Sequence, residues 1–107
     1  MASLKEVMKM ERLPEWIDEL VKKRPELKWE IELAKEHLRD FNRDIDECDI
    51  DALEHVLGLY KELILAVDHL KFIDESEWKI YHHKLFELDS ELYPEIREKF
   101  KRCIYKS

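Results

Sequence analysis

The segment 49–73, DIDALEHVLGLYKELILAVDHLKFI, constrains the fold more than any other part of this chain, because it carries two apolar seams side by side. One seam is Ile50, Leu53, Leu57, Tyr60, Ile64 and Val67; the other is Val56, Leu59, Leu63, Ala66, Leu70 and Ile73. Spacings of three and four residues are those of an α-helix. Two adjacent seams cover more than half of its circumference, so such a helix needs partners on several sides and belongs at the centre of a bundle. The remaining stripe, Asp51, Glu54, His55, Gly58, Lys61, Glu62, Leu65, Asp68 and His69, is expected to face outward.

The rest of the chain agrees with a helical fold. With one glycine and three prolines in 107 residues, it lacks the turn residues that a many-stranded protein needs at short intervals. Its length supports one hydrophobic core, so residues 1–107 are read as a single domain. The expected architecture is all-α, an antiparallel up-and-down helical bundle of about five to six helices with a four-helix core and short N-terminal helices.

Helix boundaries follow from caps and prolines. Ser3 with Glu6 forms a capping box ahead of Leu4, Val7 and Met8, which predicts a brief first helix ending near Arg12. Pro14 opens a second, with Leu13, Trp16, Ile17, Leu20 and Val21 in register, and Pro25 ends it by Arg24. A third starts at Pro25 and buries Leu27, Ile31, Ala34, Leu38, Phe41 and Ile45, a heptad seam suited to shallow-angle packing. Trp29 and Leu33 lie nearly opposite that seam.

The acidic junction DIDECDID, 44–51, lacks the glycine and glutamate of a calcium loop, so Asp46 or Asp49 is expected to cap the central helix instead. Asp74 with Glu77, or alternatively Ser76, caps a fifth helix with the seam Trp78, Tyr81, Leu85, Leu88 and Leu92. Pro94 is expected to start a last helix, with Tyr93, Ile96, Phe100, Cys103 and Ile104 on one face.

Charge and composition remove several classes of function. A net charge of -7 with acids and bases interleaved argues against nucleic-acid binding, and the runs KKR (22–24) and KFKR (99–102) fit the negative ends of helices. No apolar stretch spans a bilayer, and the N-terminus lacks the core of a signal peptide, so a cytoplasmic protein without membrane contact is expected. The absence of Gln and Thr, the single Asn42 and the 42% of charged residues suit a thermophilic, archaeal source. Cys48 and Cys103 have no metal-binding spacing and are expected as two buried free thiols, a disulfide being the alternative.

Candidate sites are few. His55, Glu62 and His69 stand seven apart, about 10 Å along a helix, and cannot share one ion. Asp51, Glu54 and His55 are the candidates for a metal, in a chain that would then hydrolyse a phosphate ester or anhydride. Paired acids of the kind all-helical nucleotide pyrophosphatases use occur at Glu15/Asp18, Asp51/Glu54 and Glu95/Glu98, without that family's order and spacing. His83 and Glu87, one turn apart, read as an ion pair.

No cofactor is expected. Trp29 with Leu33 and Ile80 with Phe86 lie off the main seams and are the interface candidates. The expected function is therefore contact with protein, chiefly a second copy of the chain in a homodimer, with an unidentified protein partner also open. An acidic module for a basic partner is the further alternative, resting on the net charge and the acids of 44–54.

Overall fold

The computed structural model describes residues 13–106, and these are helical almost throughout, at 91% helix with no strand. Helix α1 spans Glu15–Lys23 and a 3₁₀ turn spans Pro25–Leu27. Helix α2 spans Lys28–Asp46, α3 Asp51–Ile73 and α4 Glu75–Lys106. The helix expected over residues 4–12 lies outside the described residues. Among the described residues there are thus four helices rather than the five to six expected. At about 1.5 Å per residue α4 alone is about 48 Å long, and it sets the 47 Å long axis of the molecule.

The missing boundary is the one at Pro94. A proline inside a helix removes one hydrogen bond and crowds the carbonyl four residues back, so a break was expected. Instead α4 runs through Pro94, which is exposed, because Tyr81, Leu88, Leu92 and Ile96 form one buried stripe across it. Breaking the helix would unseat Ile96 and the residues beyond it, at about 1.5–3 kcal/mol for each large apolar side chain exposed. Continuity also corrects the face expected for the last segment: Tyr93 and Ile104 are exposed, while Ile96 is buried and Phe100 half-buried.

Packing follows the seam of α2 closely. Leu27, Ile31, Ala34, Leu38, Phe41 and Ile45 are all buried, and Phe41 meets Phe100 of α4 with ring centroids 5.9 Å apart. On α3 only one of the two seams behaves as expected. Val56, Leu59, Leu63, Ala66 and Leu70 are buried and only the terminal Ile73 is exposed, but of the other seam only Val67 is buried, with Tyr60 half-buried and Ile50, Leu53, Leu57 and Ile64 exposed. Ala52, outside both seams, is buried instead. Helices α2 and α4 cover two sides of α3, and among the described residues nothing covers the third.

Caps and ion pairs tie the ends together. Asp74 Oδ1 accepts hydrogen bonds from the backbone N–H of Ser76 (2.9 Å) and Glu77 (3.3 Å), so Asp74 rather than Ser76 caps α4. Glu77 is then free to accept from Arg24, at the end of α1, whose guanidinium also lies 3.9 Å from Asp74. Trp16 packs on Tyr81 at 5.9 Å, and Lys35 bonds Asp18 at 2.6 Å, holding α1 across α2 and α4.

The α2–α3 connection departs most from expectation. The N–H of Asp49 bonds the carbonyl of Asp44 (2.8 Å) and the N–H of Cys48 bonds that of Ile45 (3.1 Å). This is the Schellman pattern, whose turning residue takes a left-handed backbone and is most often glycine. Here it is Cys48, at φ 53°. Cys48 is exposed and joined in a disulfide to half-buried Cys103, so the two thiols are neither free nor both buried. Asp49 Oδ1 accepts from the N–H of Asp51, the first residue of α3, at 2.9 Å, while the N-cap position itself is Ile50, so neither Asp46 nor Asp49 occupies it.

A cross-link closing 55 residues of separation restricts the unfolded chain by about 4 kcal/mol in the loop-entropy picture. Cys103→Ser should lower the unfolding free energy in urea by up to that amount, and reductant should do the same to the wild type while leaving the variant unchanged.

Candidate functional site

The contact between α2 and α3 has an apolar side and a polar side, and the polar side gathers most of the chain's buried chemistry. On α2 it is made by Glu30, His37, Asp40 and Asp44; on α3 by His55, Gly58, Glu62 and His69. Contacts run in opposite order along the two helices: Glu30 Oε1 lies 3.6 Å from His69 Nδ1, and Asp44 Oδ2 lies 3.3 Å from His55 Nε2. The helices are therefore antiparallel here. Of the stripe expected to face solvent, Asp51, Glu54, Lys61, Leu65, Asp68 and His69 are exposed, whereas His55 and Gly58 lie against α2 and Glu62 is buried at 9% exposure.

At the centre of this seam two imidazoles meet. His37 Nδ1 lies 3.4 Å from His55 Nδ1, and their ring centroids are 5.7 Å apart. The other nitrogen of His55 addresses Asp44, whose side chain is almost wholly buried. Of His37 Nδ1 and His55 Nδ1, one carries a proton and donates it to the lone pair of the other. Asp40 Oδ2 stands 4.0 Å from His55 Nδ1. Arg43 takes the outer oxygens of both acids, with Nη1 3.4 Å from Asp40 Oδ1 and Nε 3.2 Å from Asp44 Oδ1. Its pKa is raised, first by the hydrogen bond to Asp44 and then by the charges of Asp44 and Asp40.

The chain's single glycine makes this arrangement possible. A Cβ at Gly58 would stand 2.7 Å from both Cε1 and Nε2 of His37 and 2.9 Å from its Cδ2. A glycine within a helix costs about 1 kcal/mol relative to alanine. Here that cost opens the space in which the His37 ring lies against α3. His37, Asp40 and Asp44 were not among the candidates read from the sequence. The signals that point to them are the glycine in mid-helix and the 3-4 spacing that puts the three on one flank of α2.

The sequence candidates are dispersed. His55 turns to Asp44, whereas Asp51 and Glu54 are exposed on α3. Among the described residues no three His, Cys, Asp or Glu side chains are arranged, as they stand, to hold a metal ion. His83 pairs with Glu87 at 3.0 Å on the exposed side of α4. Of the interface candidates, Trp29 and Ile80 are exposed on α2 and α4, and Leu33 is half-buried. Phe86 is 67% exposed and borders a groove of about 250 Å³ between α3 and α4, with Tyr60, Ile64 and Leu85. Six positions separate Ile80 from Phe86, which sets them about 120° apart around α4.

That groove is nearly all apolar. Tyr60 forms part of its lining, with its hydroxyl buried and outside normal hydrogen-bonding geometry to any partner. Burial first, and then the facing Asp89 carboxylate, raise the phenol above its ordinary value. The exposed seam of α3 continues from Ile64 to Leu57, Leu53 and Ile50, and Tyr93, one heptad beyond Phe86, flanks Tyr60 on α4. No helix of the described residues is long and apolar enough to cross a membrane. No protein-family model matches the chain, and neither a curated protein nor a solved structure matches it.

Two outcomes follow from this geometry. Gly58→Ala, which in an open helix would gain about 1 kcal/mol, should instead destabilise the protein by a similar amount because the His37 ring must move. In a His37→Ala background the same substitution should become stabilising, and a double-mutant cycle in urea measures the change of sign. For Tyr60, the native state favours the neutral phenol, so its contribution is complete below the unfolded pKa of about 10 and is lost as pH rises above it. Tyr60→Phe should flatten the alkaline fall in stability.

Proposed function

We propose that this protein acts through protein contacts as a homodimer, and that the exposed face of α3 and α4 is the surface through which it pairs. The supporting observation is the row Ile50, Leu53, Leu57 and Ile64 on α3 beside Phe86 and Tyr93 on α4, all exposed and all large. At roughly 100 Å² for each half-exposed side chain, the face offers about 600 Å². That reaches the top of the range for the largest apolar patch of a monomer and approaches the ~800 Å² per partner of a standard interface.

A second copy is the occupant that the pattern favours. The row on α3 keeps the three-and-four spacing of a helix–helix seam, with Tyr60 completing it, and such a seam packs best against another helix of the same spacing. In this reading α2, α3 and α4 form an antiparallel up-and-down bundle open on one side, and a twofold partner closes it. Exposed apolar surface of this size is costly to leave in water, at about 25 cal/mol per Å².

Sedimentation velocity at tens of micromolar chain should give a dimer. Leu57→Glu and Phe86→Glu should each weaken pairing at least 100-fold with helical content by circular dichroism unchanged, because a charge would be buried at the centre of the interface. Trp29→Glu, on α2, should leave the dimer intact. A wild-type chain that sediments as a monomer at these concentrations would overturn the reading.

A further inference from the structure

We propose that His37 and His55 form a binding site for a divalent transition metal of the zinc, cobalt and nickel class, completed on binding by Asp40. The ordinary Zn–N distance is about 2.0–2.1 Å, so two nitrogens on a tetrahedral ion stand about 3.3–3.4 Å apart. His37 Nδ1 and His55 Nδ1 are 3.4 Å apart. Two imidazoles on different helices thus already hold one edge of a coordination tetrahedron, with their Nδ1 atoms turned toward each other.

The surroundings of the pair are those a metal-bound histidine uses. A ligating imidazole commonly donates its other N–H to a carboxylate, which fixes the tautomer and strengthens the ligating nitrogen. His55 Nε2 lies 3.3 Å from buried Asp44 Oδ2, so a carboxylate already stands beside that nitrogen without any ion present. Asp40 Oδ2, 4.0 Å from His55 Nδ1, lies just outside the spacing of a third ligand. Asp40 is three residues from His37 on the same flank of α2 and half-buried, so rotation of its side chain brings the oxygen in, with water in the fourth position.

Charge and protons balance. Two aspartates and Arg43 leave a net charge of about -1 around two neutral imidazoles, which favours a divalent cation. Arg43 occupies the Oδ1 atoms, so the Oδ2 atoms remain turned inward. Without metal, one Nδ1–H donates to the other Nδ1; on binding, that proton leaves to the same ring's Nε2 or to solvent, and both Nδ1 lone pairs go to the ion. Imidazole selects zinc, cobalt, nickel or copper over magnesium and calcium, which prefer oxygen. Gly58 is what seats the His37 ring at this distance.

Calorimetry of the disulfide-intact chain with ZnCl₂ and NiCl₂, using MgCl₂ and CaCl₂ as controls, tests the site without thiol ligands. One zinc per chain is expected, with no heat from magnesium or calcium. His37→Ala and His55→Ala should each weaken binding at least 100-fold, Asp40→Asn and Asp44→Asn 10–100-fold, and His83→Ala should leave it unchanged. Should the histidine variants fail to fold, nitrogen NMR of the wild type gives the same answer, because zinc must shift the Nδ1 resonances of His37 and His55 together. No binding at 1 mM zinc, or binding that leaves those two resonances in place or is lost with His83→Ala, would overturn the proposal.

Discussion

The close packing of α2 against α3 is the interaction on which the rest depends. It buries the apolar seam of α2 and one seam of α3, and α4 packs against the same core through Tyr81, Leu88, Leu92 and Ile96. Side chains such as Leu59, Ala66, Ala34 and Phe41 have no measurable exposure, so the two helices have no freedom to slide past one another without opening cavities. The Schellman turn at Cys48 and the disulfide to Cys103 then anchor one end of the pair to the far end of α4. Arg24 with Glu77 and Asp74 anchors α1 to the opposite end of α4.

A helix pair packed this tightly determines what its flanks must do. Gly58 lets the backbone of α3 come up against the His37 ring, and with that approach the polar residues on the same flank lose solvent together. Buried polar groups need partners. The seam supplies them in sequence: Arg43 with Asp44, Asp44 with His55, His55 with His37, and Glu30 with His69. The opposite flank of α3 has no such answer within the described chain, and an uncovered hydrophobic row beside Tyr60 and Phe86 is the result.

Most of the fold is legible in the sequence because it rests on local periodicity. The seam from Leu27 to Ile45 is buried at every position, the α1 stop before Pro25 is in place, and Asp74 caps the helix it precedes. Boundaries set by competition were harder. Pro94 ordinarily opens a helix, but a buried stripe on both sides of it outweighs one lost hydrogen bond. The turn at Cys48 carries no glycine or asparagine to mark a left-handed residue, so neither the turn nor the disulfide geometry is evident from residue types. The candidate site was least legible: a wheel of α3 alone places His55, Gly58 and His69 on one stripe but cannot say that α2 lies over part of it.

The sequence by itself determined that this chain is helical, which residues of α2 are inside, and that the segment 49–73 is apolar on more sides than one helix can bury alone. Only the tertiary structure decided which of its seams is covered, that His55 and Gly58 of its polar stripe lie against α2, and that His37 reaches His55 across Gly58. The reason is physical. Periodicity fixes angles around one helix axis, since each residue turns about 100°. Which neighbour occupies each angle depends on how two or more helices pack together, and that choice is made by shape and burial over the whole core.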